Sequence, residues 1–244
     1  MTCRIKFILA FCTRRTCMNL FVNDIPVRIL KPGQVADEGH VNSSIDARNE
    51  SITKAKLIYH VLVKNAGLYE LGQVLDLIDT KVPTSLLSLI ISVDNYDAAK
   101  LLLRQRFKVV KAAGGLVRKK DRFLMIYRMK KWDLPKGKKE SNERYRQTAV
   151  REVEEECNVK VKLGRKVCTT WHTYTMNKNA MLKKTRWYVM DVVDDSRMKP
   201  SIEEDIEELR WMTQKEVFHA LDNSYKSIRF VFEEYYRKAE KIPS

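Results

Sequence analysis

Between Gly137 and Val159 the chain reads GKKESNERYRQTAVREVEEECNV, and Glu152, Glu155 and Glu156 stand there at i, i+3 and i+4. On a helix these positions share one face, about a turn apart. Ala149, Val150 and Val153 supply an apolar stripe to pack against a sheet. Crowding like charges on one face costs roughly 0.2–0.5 kcal/mol per pair, unless a cation sits among them. Hard oxygen ligands of this kind suit Mg²⁺, with Mn²⁺ as the alternative. Taken alone, EVEEE also reads as a solvated acidic face. It does not stand alone, because Pro135, Lys136, Gly137 and Lys138 form a cation-rich turn whose backbone can closely approach an anion. Carboxylates for a metal beside a loop for phosphate point to metal-assisted attack of water on a phosphoanhydride.

The rest of the pattern gives that helix a sheet. From residue 108 onward we expect strands at 109–118 and 122–128, a loop at 133–139 and the helix from about 143 to 157. Strands near 159–175, 183–192 and 206–212 and helices near 213–221 and 224–239 complete it. Before this, NLFVNDIPVRIL at 19–30 alternates around Asn23-Asp24 as a hairpin, and 31–53 reads as a loop. Strand and helix then alternate, with strands at 56–63 and 85–93 and helices at 70–80 and 96–107. The fold class is α/β, and the organisation is a small α/β accessory domain over 18–107 followed by a second domain over 108–244. Met18 opens a more protein-like start than Met1, so residues 1–17 are read as an upstream extension.

Composition narrows the function classes. The net charge is +15, of which residues 1–107 carry 14 basic against 10 acidic side chains and residues 108–244 carry 32 against 21. The later part is therefore the one that seeks anions, phosphorylated ligands or nucleic acid. No apolar run approaches the roughly 20 residues of a membrane span, so no membrane partner is expected. The apolar stretch near the start is short for a secretory signal. Five cysteines without a C-x-x-C pair argue against a disulfide scaffold or zinc site and for a reducing, cytoplasmic setting.

These residues resemble the Nudix box, G-x5-E-x7-R-E-U-x-E-E-x-G-U with U a bulky aliphatic. Gly137, Glu143, Arg151, Glu152, Val153, Glu155, Glu156 and Val159 meet it, and only the second glycine departs, being Asn158. Asn tolerates the left-handed conformation next best after Gly. AAGGLV at 112–117 and WDLPKGK at 132–138 are similar to the segments before the box, so the likeness spans about 108–220. It implies an α/β/α sandwich around a mixed sheet and hydrolysis of a nucleoside diphosphate linked to another moiety, with a divalent metal. Carried over residue by residue, it makes Glu155 and Glu156 metal ligands and Glu152 a further ligand or the general base. Arg151 would hold Glu152 by a bidentate bond, Glu143 would be a structural acid near the helix start, and the Gly137 carbonyl an extra ligand. WDLPKGK looks like enzymes acting on diadenosine and diphosphoinositol polyphosphates, which places Lys136 and Lys138 at substrate phosphates and Gly114 and Gly115 on the substrate side.

Other residues are weighed against ordinary packing. Trp132, Trp171, Trp187 and Trp211 are expected in core or loop packing rather than stacked on a base, and His172 as structural rather than a proton carrier. The run Glu203, Glu204, Asp205, Glu207, Glu208 reads as a solvated loop or, by resemblance, a distal ligand or base. Lys183, Lys184 and Arg186 with Tyr174 and Tyr188 form a basic, aromatic patch for a polyphosphate or RNA, or a merely exposed strand face. Phe230, Phe232, Tyr235 and Tyr236 mark core packing or a homo-oligomer surface. The function so read is a phosphoanhydride hydrolase acting on nucleoside-diphosphate-linked substrates, dinucleoside polyphosphates first. RNA 5′-end pyrophosphohydrolysis is the runner-up. A non-catalytic nucleotide sensor with a regulatory accessory domain is a rival from another class, and isoprenoid diphosphate isomerisation a third.

Overall fold

The computed structural model describes residues 17–34, 36 and 41–239. The expected upstream extension lies, apart from Cys17, outside the described residues. The chain divides into two compact units, residues 1–108 with 171–182 and residues 109–170 with 183–244. The reading of a single cut near 107 thus differs by one segment: residues 171–182 belong with the first unit.

The first unit carries β1 (Met18–Val22), β2 (Ile25–Leu30), β3 (Ser43–Asp46), β4 (Tyr59–Ala66), α1 (Leu68–Thr80), β5 (Leu86–Val93) and α2 (Tyr96–Arg106). Its sheet runs β1-β2-β5-β4-β3, with β1 and β2 antiparallel and the other pairs parallel. Asn23 and Asp24 both take positive φ (48° and 63°), the two-residue geometry whose twist matches a hairpin. Helix α1 buries Leu71, Val74, Leu75 and Ile78, spaced by three or four residues as one helical face requires. The expected loop over 31–53 is interrupted by β3, a short edge strand whose SSID sequence lacks apolar alternation and is held by parallel pairing to β4. The strand expected at 56–63 begins at Tyr59, since Lys54–Lys56 form a 3-10 turn.

The second unit is built on β6 (Lys108–Lys119), β7 (Arg122–Arg128), β8 (Lys131–Asp133), β9 (Lys136–Lys138), α3 (Tyr145–Cys157), β10 (Lys160–Met176) up to residue 170, β11 (Asn179–Asp194) from residue 183, β12 (Ile206–Thr213), α4 (Gln214–Ala220) and α5 (Lys226–Ala239). The strand order is β12-β7-β6-β11-β10, with β8 on β7 and β9 on β6. Alternation along β7 separates two helical layers. Leu124 and Ile126 face the core containing Ala149, Val153 and Cys157 of α3, whereas Phe123 meets Phe232 and Tyr235 of α5 edge-on at 5.4 and 5.5 Å. This is the expected three-layer α/β/α arrangement, and Phe230, Phe232 and Tyr235 are buried core residues. The expected loop at 133–139 contains β9, paired Ala112 with Lys138, Ala113 with Gly137 and Gly114 with Lys136. Among the described residues no helix is long and apolar enough to cross a membrane.

Candidate active site

Two local devices place the carboxylates. At its start, α3 is anchored by the Gln147 side chain, which accepts the Arg144 N–H at 2.8 Å, half of a capping box. At its end, Asn158 adopts the left-handed conformation (φ 53°, ψ 43°) and its N–H bonds the Glu154 carbonyl. Its side-chain amide also donates to the Arg197 carbonyl at 2.6 Å, a tie that glycine could not make. The helix is tied to β9 by the Lys136 N–H, which donates to Glu156, and by Arg151, which donates to the Lys138 carbonyl; the sheet holds β9 in turn.

Glu156 is 1% exposed. One carboxylate oxygen accepts the Lys136 N–H at 3.0 Å, while Oε1 is buried with no hydrogen-bond partner. Oε1 lies 3.6 Å from the Arg128 guanidinium, which also lies 3.8 Å from Glu204. Burial pushes the Glu156 carboxyl up to about 7, against the opposing pull of Lys136 and Arg128. Glu152 is also buried, and its carboxyl is raised chiefly by desolvation, with Arg151 working the other way. Gly137 sits directly against Glu152, and a side-chain carbon there would overlap the carboxylate. The glycine is therefore required by close approach. Gly137→Ala should cost about 2 kcal/mol and weaken binding of Mn²⁺, checked by denaturant unfolding and metal titration. Unchanged metal affinity in a folded variant would contradict it.

Arg151 ties the face together differently from expectation. Its forked, two-nitrogen grip goes to Glu143, at 2.6 Å from Nε and 3.0 Å from Nη2. Glu152 receives an ion pair at 2.9 Å and Glu155 a bond at 2.8 Å. Eight residues separate Glu143 from Arg151, so the side chain reaches back along the helix to an acid just ahead of it. Hydrogen bonds from Arg151 first, then from Thr148 and the Glu140 N–H, pull the Glu143 carboxyl down to about 2. A depressed carboxyl stabilises the fold above its ordinary pKa, and this contribution is lost as pH falls through the lowered value. The gap in urea midpoint between wild type and Glu143→Gln should accordingly narrow from about pH 6 to about pH 2.5. An equal gap at both would contradict this role.

The remaining candidates fall out as follows. The Lys136 ammonium is paired with buried Asp133, so it enters the site through a neighbour that sequence reading passed over. Lys138 is exposed and offers its carbonyl to Arg151 at 3.1 Å. Gly114 and Gly115 are buried among protein atoms. A side chain at Gly114 would meet Pro135, Lys136 and Trp187, and one at Gly115 would meet Val153 and Met190, so packing alone calls for both glycines. Glu152, Glu156 and Gly137 are brought together, whereas Glu155 is turned toward Arg151 with its side chain 61% exposed. Among the described residues no three His, Cys, Asp or Glu side chains converge with metal-ligand geometry.

Arg128 and Asp133, the latter inside WDLPKGK, gather around Glu156 and Lys136 without having been singled out from the sequence. Glu204, read there as one of an acidic run that is a solvated loop or a distal ligand or base, lies 3.8 Å from Arg128. Trp187 is buried with its indole N–H donating to Thr170 at 2.9 Å, and Trp132 stacks near Tyr127, both packing roles. Trp171 and His172 belong to the first unit, where they pair with Leu20 and Phe21 of β1.

A NUDIX domain family model matches residues 108–232. No curated protein gives a significant match. Among solved structures, a NUDIX hydrolase from Nitrosomonas europaea is similar at 18% identity over 54% of this chain and 90% of its own, with a TM-score of 0.46. A C. elegans Ap4A hydrolase in a binary complex is similar at 20% identity over 55% and 99%, with a TM-score of 0.44. The MutT protein from Methanosarcina mazei Go1 is similar at 25% identity over 55% and 98%, with a TM-score of 0.44.

Proposed function

The chain belongs to the Nudix family, hydrolases of acid anhydrides that generally use divalent metal ions, and from that premise we propose a Mg²⁺-dependent pyrophosphohydrolase, with Mn²⁺ as an alternative ion. The observation that carries the metal requirement is the buried Oε1 of Glu156 with no hydrogen-bond partner, beside a second desolvated carboxylate, Glu152. Two buried acids, one with an oxygen that accepts no hydrogen bond, form a set of hard oxygen donors whose neighbouring cations, Arg128 and Arg151, leave that oxygen unbonded. Glu156, Glu152, Glu155 and the Gly137 carbonyl are the groups that would hold the ion. The ion would acidify a bound water and neutralise charge on the bridging phosphate oxygens.

The chain's own residues do the rest. Arg151 fixes the spacing of Glu143, Glu152 and Glu155, so the acidic face is set before substrate arrives. Glu152, raised by burial, is suited to accept a proton from the attacking water. Arg128 and Lys136, now held by Glu156, Glu204 and Asp133, are cations that can turn to phosphate oxygens. Dinucleoside polyphosphates are the favoured substrates because WDLPKGK resembles that of enzymes acting on them. The basic excess of residues 108–244 favours RNA 5′ ends as the second reading. Among the described residues Cys17, Cys157 and Cys168 form no disulfide, which fits our placement of the protein in the reducing cytoplasm. The accessory-domain reading of residues 18–107 is retained within this proposal.

The test is nucleotide release from diadenosine polyphosphates, nucleotide sugars, nucleoside triphosphates and 5′-triphosphorylated RNA, with and without Mg²⁺ or Mn²⁺. Metal-dependent turnover of one class supports the reading and names the substrate. A folded, metal-binding protein with no turnover on any of them moves the assignment to a nucleotide sensor.

A further inference from the structure

Arg128 ends β7 with its guanidinium between two carboxylates. A single nitrogen, Nη1, lies 3.6 Å from Oε1 of Glu156 and 3.8 Å from Oε2 of Glu204. Both separations exceed hydrogen-bond reach, so Nη1 forms a loose ion pair with each acid. The two acids differ in their surroundings. Glu156 is buried with Oε1 accepting no hydrogen bond, whereas the Glu204 side chain is 53% exposed. The Lys136 ammonium is committed elsewhere, to Asp133.

The loop that carries Glu204 is tied at both ends to the residues in question. Ahead of it, the Ser201 N–H donates to the backbone carbonyl of Glu156 at 3.0 Å. Behind it, Ile206 pairs with Arg128 across β12 and β7. The Ile206 N–H also donates to the Ser201 carbonyl at 3.3 Å, and the Asp205 N–H to the Ile202 carbonyl at 3.1 Å. Backbone contacts to Glu156 on one side and Arg128 on the other therefore bracket Glu204 and hold its carboxylate beside the guanidinium.

We propose that Arg128 is the resident counter-ion of the metal-free site and that Glu204 is its second station, toward which the guanidinium shifts when Glu156 takes up a divalent cation. Without such a station the arriving cation would meet a positive charge 3.6 Å from the oxygen it needs. Moving Arg128 onto Glu204 relieves that repulsion and leaves the half-buried arginine paired. Glu204 is then a positioning residue that acts through Arg128 and does not itself touch the ion. This deepens the metal-dependent reading above and rests on it.

The test is Mn²⁺ titration of the full chain without substrate, at about pH 8.5, above the raised Glu156 value, so that protons do not compete. Urea midpoints in a chelator accompany it. Arg128→Gln should bind Mn²⁺ about tenfold more tightly, while its midpoint falls because Glu156 loses its counter-ion. An arginine with a merely structural role would lower both together. Glu204→Gln should bind Mn²⁺ about fivefold more weakly, and Glu203→Gln, the same change on the adjacent exposed acid, should stay within about twofold of wild type. Added to Arg128→Gln, Glu204→Gln should change the affinity by less than about twofold, because the residue it acts through is gone. Arg128→Met takes the place of the glutamine variant if that one does not fold.

An equal loss from Glu204→Gln with and without Arg128 would make Glu204 a ligand and overturn the proposal. Weaker Mn²⁺ binding by the neutral Arg128 variants would overturn it as well. Mn²⁺ binding indifferent to both residues defeats this inference and leaves the metal-dependent hydrolase standing. A wild-type protein that binds no Mn²⁺ defeats the metal-dependent reading, and this inference with it.

Discussion

Glu156→Gln is expected to lower turnover by on the order of 10²-fold or more while making the metal-free protein more resistant to unfolding. The two effects share one cause. Glu156 is buried with Oε1 unbonded, and desolvation raises its carboxyl from 4.5 to about 7. Because the folded value is the higher one, the fold takes up a proton relative to the unfolded chain, and stability falls as pH rises from about 4.5 to about 7. At about 1.4 kcal/mol per pKa unit, the charged form burdens the metal-free fold by on the order of 3–4 kcal/mol. Glutamine keeps the acceptor for the Lys136 N–H and removes the charge. Thermal unfolding across that pH range in the presence of a chelator should slope downward for wild type and less steeply for the variant, in which only the raised Glu152 carboxyl remains. A variant that is both active and no more stable than wild type at neutral pH would remove Glu156 from the metal site.

Arg151→Ala should be the most destabilising single change in the acidic face, by about 3 kcal/mol. It leaves Glu143, Glu152 and Glu155 without their shared cation and the Lys138 carbonyl without its donor. Arg151→Lys should recover only part of this, because an ammonium cannot reproduce the two-nitrogen fork on Glu143. Urea midpoints of the three proteins give the order, and Mn²⁺ titration of the folded variants gives the loss of affinity. A midpoint for Arg151→Ala within the error of wild type would show that the network is decoration on a helix held by packing alone.

What the sequence made legible follows a physical boundary. Helix α3 and its carboxylates were readable because spacing on a helix is spacing in space, and the αL turn at Asn158 was readable because few residues tolerate it. The strands of the core were readable from apolar alternation. β3 and β9 were not, because SSID and KGK carry no such alternation and are strands only by virtue of the partners they pair with. Arg128 and Asp133 were not singled out for the same reason, and Glu204 could not be told apart from its acidic neighbours: their meeting with Glu156 and Lys136 depends on how β7, β8 and the loop before β12 fold back. The direction of Arg151 toward Glu143 likewise depends on a choice among acids that all lie within its reach.

The assignment of residues 171–182 to the first unit sets a timetable for synthesis. Chains emerge from the ribosome in order, and domains generally fold as they are completed. The strand partner of β1 at Trp171 and His172 is translated only after most of the second unit's strands and the whole of α3. A nascent chain ending anywhere between 108 and 170 therefore holds a first sheet with the outer edge of β1 unpaired, the kind of edge that invites mispairing. The N-terminal unit is first to be made and cannot be first to be finished.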